Sequence, residues 1–188
     1  MLERRELVKS LLADRGDLLV VSGLGAPTYD VAAAGDHPLN FYLWGAMGGA
    51  AMIGLGLALA KPERHVAVIT GDGEMLMGLG SFATIGVKEP ANLAIVVLDN
   101  RRYGETGMQA SHTEWGIDLV GVAKACRFPT ALGLDNKAEI EGARKLLRSR
   151  RGPTFIQARV DAADVPRVLP MREGHAIRLR FQNALLKP

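Results

Sequence analysis

The 188-residue chain has a single cysteine, and that scarcity removes several chemistries at once. One thiol builds no disulfide framework, no cysteine zinc site and no self-contained iron–sulfur cluster, and it suits a reducing cytoplasm. Proline is scarce at 9 residues and nothing repeats, so the chain is not low-complexity sequence. The opening Met1-Leu2-Glu3-Arg4-Arg5-Glu6 mixes acids with bases and lacks the apolar stretch of a secretory signal. Charge of one sign is also lacking: 23 basic against 20 acidic side chains leave a net +3. Residues 141–188 hold 11 Lys/Arg and 4 Asp/Glu, whereas 1–140 hold 12 and 16. The basic run 144–151 has no interleaved aromatic and no nucleic-acid motif, so it reads as a solvated helix face and no nucleic-acid partner is expected. Residues 39–60 carry no charge and are long enough to span a bilayer. Five glycines interrupt them, however, and they divide into a short strand and a buried helix at 48–60. No membrane segment is expected.

What is abundant is glycine. The 22 glycines make up about 12% of the chain against a usual ~7%, which points to tight turns and close backbone approaches. Apolar residues make up 48%, enough for one core in one domain, 1–188. Hydrophobic patterning predicts strands at 17–22, 39–43, 65–70, 92–98, 130–132 and 154–160. Helices are predicted at 2–13, from Thr28 as N-cap to 34, at 48–60, from 71 to about 87, at 117–126, at 136–150 with Asn136 as N-cap, and at about 172–186. The last would pack on the domain or on a partner. Residues 99–115 show little periodicity, and long stretches of that kind are usually functional or disordered. Strands alternating with helices, the inner ones apolar on both faces, define the fold class: α/β, a parallel sheet with helices on both faces.

Ligands of such sheets bind beyond the carboxyl ends of the strands. Gly71-Asp72-Gly73 directly follows one strand and opens a helix. Two glycines let the backbone approach an anion, and a helix N-terminus favours phosphate. The acid between them repels phosphate unless a divalent cation stands between, as Mg²⁺ does when it takes one or two protein oxygens and phosphate oxygens. Asp99-Asn100 ends the strand 92–98 and supplies a second oxygen ligand if the two strands are neighbours. Each motif alone is also a common turn former; two at neighbouring strand ends make a site.

Gly71-Asp72-Gly73 followed by Asn100 resembles the cofactor motif of the thiamine diphosphate-dependent 2-oxo-acid decarboxylases. The stretches Asn40 to Gly48, Gly71 to Ser81, Leu98-Asp99-Asn100 and Tyr103 to Gln109 are similar, within that family, to the β subunit of sulfopyruvate decarboxylase and the matching half of phosphonopyruvate decarboxylase. The resemblance runs from about Asp17 to Val160. It implies a diphosphate-binding domain with thiamine diphosphate and Mg²⁺ (or Ca²⁺). Asp72 and Asn100 would ligate the metal through side-chain oxygens and Arg102 through its carbonyl. The N–H groups of Gly73 and Glu74 would hold the diphosphate, with Gly25, Gly71, Tyr103, Gly104, Thr106 and Gly107 around it. The Gly45 carbonyl would accept from the pyrimidine amine, and Met47 would be the wedge that bends the cofactor. The resemblance also implies a reaction, conversion of a small 2-oxo acid to an aldehyde and CO₂. The catalytic glutamate that activates the cofactor would come from a pyrimidine-binding α-type partner subunit, since no second α/β pattern is present here. Self-association of such pairs is expected.

Departures from the family pattern are local. Asp99 stands where many relatives carry Asn, and Ala46 where serine is frequent. Arg101-Arg102 puts two cations beside the site, either for an anionic substrate tail or simply solvated. His112 is a candidate substrate contact or proton relay, and Cys126 reads as core. Two rival readings remain open. One is the thiamine subunit of a 2-oxo-acid:ferredoxin oxidoreductase, suggested by Tyr103 to Gln109, with clusters on another subunit. The other is a non-catalytic binding module of the same fold.

Overall fold

The computed structural model describes residues 1–163 and 165–186. Six strands form one parallel sheet: β1 (Leu19–Ser22), β2 (Asn40–Tyr42), β3 (Val66–Gly71), β4 (Leu93–Asp99), β7 (Thr130–Leu134) and β8 (Thr154–Arg159). Their order across the sheet is β2-β1-β3-β4-β8-β7. The two remaining strands, β5 (Arg102–Tyr103) and β6 (Gln109–Ala110), make a small antiparallel ribbon. Every residue of β4 is buried, as its sequence LAIVVLD requires of an inner strand covered on both faces.

Helices α1 (Arg4–Leu11), α2 (Ala26–Ala33) and α7 (Ile140–Leu146) cover one face, burying Leu7, Leu11, Val31 and Ala143 against Val20, Ile69 and Ile156. Helices α3 (Ala50–Ala60), α5 (Ser81–Lys88) and α6 (Leu119–Ala125) cover the other. There Phe82 meets the Phe155 ring at 5.0 Å and the Phe128 ring at 5.6 Å, both edge-on. Helix α8 (Gly174–Leu185) packs at β2, with Phe181 edge-on to Phe41 at 5.7 Å. Among the described residues, no helix is long and apolar enough to cross a membrane. The charge-free stretch is β2, a turn, and α3.

The sheet order places a switch point at β1. From β1 the chain moves outward through α2 to β2, then crosses back through α3 to β3 on β1's other side. Neighbouring connections that leave in opposite directions open a crevice at the carboxyl ends of the strands.

The structure corrects two local expectations and decides between order and disorder for a third stretch. Residues 71–87 are not one helix but two, α4 (Asp72–Met77) and α5, broken at Gly78-Leu79-Gly80. Gly78 lies against backbone: a Cβ there would be 2.4 Å from the Gly48 carbonyl oxygen. Thr28 is not an N-cap. Gly25, at φ +78°, starts α2 earlier, and Thr28 sits inside the helix with its hydroxyl donating to the Gly23 carbonyl at 2.7 Å. Residues 99–115 are ordered as the β5–β6 ribbon and two 3-10 turns, Gly104–Thr106 and His112–Trp115. Asn136 does cap as expected, in a capping box with Glu139. Cys126 is half-buried at the end of α6.

Candidate active site

A cavity of about 300 Å³ opens at the carboxyl ends of β1, β3, β4 and β8. Ten of the residues expected around a cofactor line it: Met47, Gly71, Asp72, Gly73, Glu74, Asn100, Arg102, Tyr103, Gly104 and Thr106. Four candidates do not line it, among them Gly107 at φ +115° on the turn after Thr106. Gly25 caps α2 and packs on Glu105, whose Cγ is 2.8 Å from where a Cβ would stand. Gly45 is exposed at φ +81° with open space beside it. His112 is exposed on its 3-10 turn and does not line the cavity.

Asp72 is the first residue of α4, and the carboxylate there is 2% exposed. Its Oδ2 accepts the Ser111 hydroxyl, and the Thr113 hydroxyl oxygen lies 3.3 Å away, its one proton closer to Asp99. Among the described residues no side chain donates to Oδ1. Burial pushes the carboxyl up to about 6; the Asp99 charge adds to the rise and the Ser111 hydroxyl opposes it. Asn100 follows β4 on the next strand over, and its Oδ1 accepts the Arg102 N–H at 3.0 Å, leaving a second lone pair free. The Tyr103 ring lies over Gly73, with Cε1 2.5 Å from where a Cβ would project, so only glycine fits.

Glu74 does more than offer its N–H. Its Oε2 accepts the Leu24 N–H at 3.0 Å and its Oε1 the Ala50 N–H at 3.2 Å. One buried carboxylate thereby ties the turn after β1 and the first turn of α3 to α4, and burial raises its pKa.

The cations divide differently from the expectation for Arg101-Arg102. Both guanidiniums face Glu114, at 3.6 and 3.3 Å, and only Arg102 lines the cavity. Arg4 and Arg167 line it too, paired with Asp30 and Glu105 respectively. Arg167 also stacks over the Tyr29 ring at 5.5 Å. Sequence reading missed Arg4, Tyr29, Glu105, Ser111, Thr113 and Arg167, because no local motif marks residues that meet only through the fold.

The donor set suits a hard cation. It offers one buried carboxylate oxygen without a side-chain donor, a neighbouring amide oxygen and the Arg102 carbonyl, oxygens of the kind that Mg²⁺ and Ca²⁺ accept. Among the described residues no group of three or more His, Cys, Asp or Glu stands together. The N-terminus of α4, opened by Gly71 and Gly73, faces the same cavity as an anion cradle.

Residues 23–158 match the family model described as "Thiamine pyrophosphate enzyme, C-terminal TPP binding domain". The chain belongs to this family. Within it, the chain is 37% identical to a protein named sulfopyruvate decarboxylase subunit beta from Methanococcus maripaludis, over 99% of both chains. It is 35% identical to a phosphonopyruvate decarboxylase from Streptomyces viridochromogenes, over 86% of this chain and 42% of that protein. Benzoylformate decarboxylase from Polynucleobacter necessarius superposes with a TM-score of 0.71 over 89% of this chain and 34% of its own. At 17% identity that likeness speaks to fold alone. Thiamine pyrophosphate, or thiamine diphosphate, is thus the cofactor of the family whose fold this chain has.

Proposed function

We propose that the chain is the diphosphate-binding subunit of a thiamine diphosphate-dependent decarboxylase, a carboxy-lyase that converts a small 2-oxo acid of the sulfopyruvate or phosphonopyruvate kind to an aldehyde and CO₂. The observation that carries this reading is that Asp72 and Asn100, which follow adjacent strands, line the same cavity as Gly71 and Gly73. The similarity to a named β subunit along the whole chain supports it. When bound, thiamine diphosphate supplies the carbon nucleophile and the electron sink for loss of CO₂. Asp72, Asn100 and the Arg102 carbonyl hold the cation, the first turn of α4 holds the phosphates, and Met47 shapes the cofactor's bend.

A partner completes the site in this reading. Among the described residues, the acids on the cavity have partners: Asp72 the Ser111 hydroxyl, Glu74 backbone N–H groups, Glu105 Arg167. In this reading the acid that activates the pyrimidine ring comes from a pyrimidine-binding subunit. Exposed apolar side chains on α3, α4 and α5, among them Met52, Leu59, Met77 and Val87, suit a covered surface.

The test is co-expression with a pyrimidine-binding partner, followed by CO₂ release from a panel of 2-oxo acids with and without Mg²⁺ and thiamine diphosphate. Activity appears only with both subunits and both additives. Turnover that requires an electron acceptor would transfer the chain to the oxidoreductase class, and absence of Mg²⁺-dependent cofactor binding with the partner present would leave only a binding module.

A further inference from the structure

Strand β4 ends on an acid, Asp99, and a second acid, Asp72, directly follows β3. Gly71 pairs with Leu98, so Asp72 and Asp99 follow side by side, 2% and 1% exposed. Like charges in a dry crevice repel, and the chain treats the two acids differently. Asp99 is surrounded by donors. Its Oδ1 accepts the Arg101 N–H at 3.0 Å and the Thr113 hydroxyl at 2.8 Å. Its Oδ2 accepts the Gln157 amide at 2.5 Å, with the Arg159 guanidinium at 2.8 Å. Little lone-pair capacity is left for a cation, and Asp99 does not line the cavity. Asp72 does line it, and hydroxyls reach only its Oδ2.

Those hydroxyls come from Ser111 and Thr113, 0% and 3% exposed and 2.9 Å apart. They flank the exposed His112 at the start of the 3-10 turn. The turn is fixed from behind by the Ser111 N–H, which donates to the Arg101 carbonyl at 2.9 Å. Two-residue alternation turns both hydroxyls inward, between the two carboxylates.

We infer that Ser111 and Thr113 are positioning residues for Asp72. Ser111 holds its Oδ2 inward by direct donation, Thr113 sits against Ser111 and bridges to Asp99 behind it, and together they present Oδ1 to the cavity and stand between the two acids so that Asp99 does not share the cation. Mg²⁺ demands near-octahedral directions, so a ligand fixed in one rotamer binds it better than one free to turn. The inference rests on the cofactor reading above and deepens it.

The test measures Mn²⁺ binding by electron paramagnetic resonance, with thiamine diphosphate present, on the full chain assembled with its partner. Thr113→Val keeps the shape and removes the hydroxyl, Ser111→Ala removes one oxygen, and Thr113→Ser restores the donor. Loss of an outer-shell partner typically weakens metal affinity 10–100-fold, and that loss is expected for the valine and alanine variants, with the serine variant near wild type. Saturating Mn²⁺ should restore their thiamine diphosphate binding. A merely structural role would instead lower the melting temperature of the metal-free chain and leave Mn²⁺ affinity unchanged, which overturns the inference. Should valine disturb packing at position 113, Ser111→Ala carries the result. If the wild type itself binds no Mn²⁺ with the cofactor, the functional reading falls and this inference with it. If the wild type binds and both variants match it, only the inference falls.

Discussion

Asp72→Asn should make the metal-free chain more stable near neutral pH while ending its response to Mg²⁺. The Asp72 carboxyl is pushed up to about 6 from an ordinary 3.8, first by burial. Below the unfolded value both states carry the proton and the group is neutral in the balance. As pH rises, the unfolded chain ionises first, so stability is lost progressively until the folded carboxyl has ionised near pH 6. Beyond that the loss is constant, about 3 kcal/mol for a shift of roughly two units. Asparagine has the same shape, accepts from Ser111 through its oxygen, and carries no charge to desolvate or to repel Asp99. Urea and thermal unfolding of the two chains should therefore differ by about 3 kcal/mol near pH 7.5, or roughly 6–12 °C in Tm. The gap should shrink to about 1 kcal/mol near pH 4.5. Adding Mg²⁺ and thiamine diphosphate, with the partner present, should stabilise the wild type by mass action and leave the variant unmoved. A variant no more stable than wild type at neutral pH, a gap that does not narrow towards acid, or an undiminished Mg²⁺ response would each refute the reasoning.

Gly86→Ala should lower stability by about 1–3 kcal/mol, because its Cβ would stand 1.7 Å from the Cys126 carbonyl oxygen and push α5 off α6; an unchanged urea midpoint would contradict that contact. Glu74→Ala strands the Leu24 and Ala50 N–H groups, at about 1–3 kcal/mol for a buried donor left without an acceptor. Chemical denaturation reads the loss, and weakened cofactor binding should accompany it as the cavity wall loosens. Asp99→Asn replaces one accepting oxygen by a donor among donors. We expect a loss of roughly 1–3 kcal/mol, reduced by the partial exposure of Arg159, and thermal unfolding of the metal-free chain at neutral pH checks it.

Much of this was legible beforehand because the information was local. Strands β3 and β4 are continuous apolar runs, as parallel inner strands must be, and adjacent parallel strands bring their ends together whatever lies between. That alone joins Asp72 to Asn100. What stayed hidden depends on distant partners. Residues 71–87 are small and apolar throughout, which satisfies a helical pattern; only the approach of Gly78 to Gly48 breaks it. Thr28 has the right chemistry for a cap, but Gly25 at φ +78° and Pro27 begin the helix first. His112 drew notice as a titratable side chain, whereas the buried groups are its neighbours Ser111 and Thr113, and hydroxyls carry no signal of their own in a sequence.

The same contrast explains why a carboxylate is tolerated at position 99, where the family resemblance led to an expectation of asparagine. Register in the sheet pairs Asp99 with Arg159 on β8, and Gln157 two residues earlier points to the same side. An acid there meets a cation and three further donors, so its charge is met inside the sheet rather than at the cavity. Asp72, one strand away, meets no cation of the chain among the described residues, and burial raises its pKa. Two adjacent buried acids of identical chemistry thus separate into one satisfied inside the sheet and one, in the proposed reading, that serves the cation; the separation is made by what β8 and the His112–Trp115 turn bring to each.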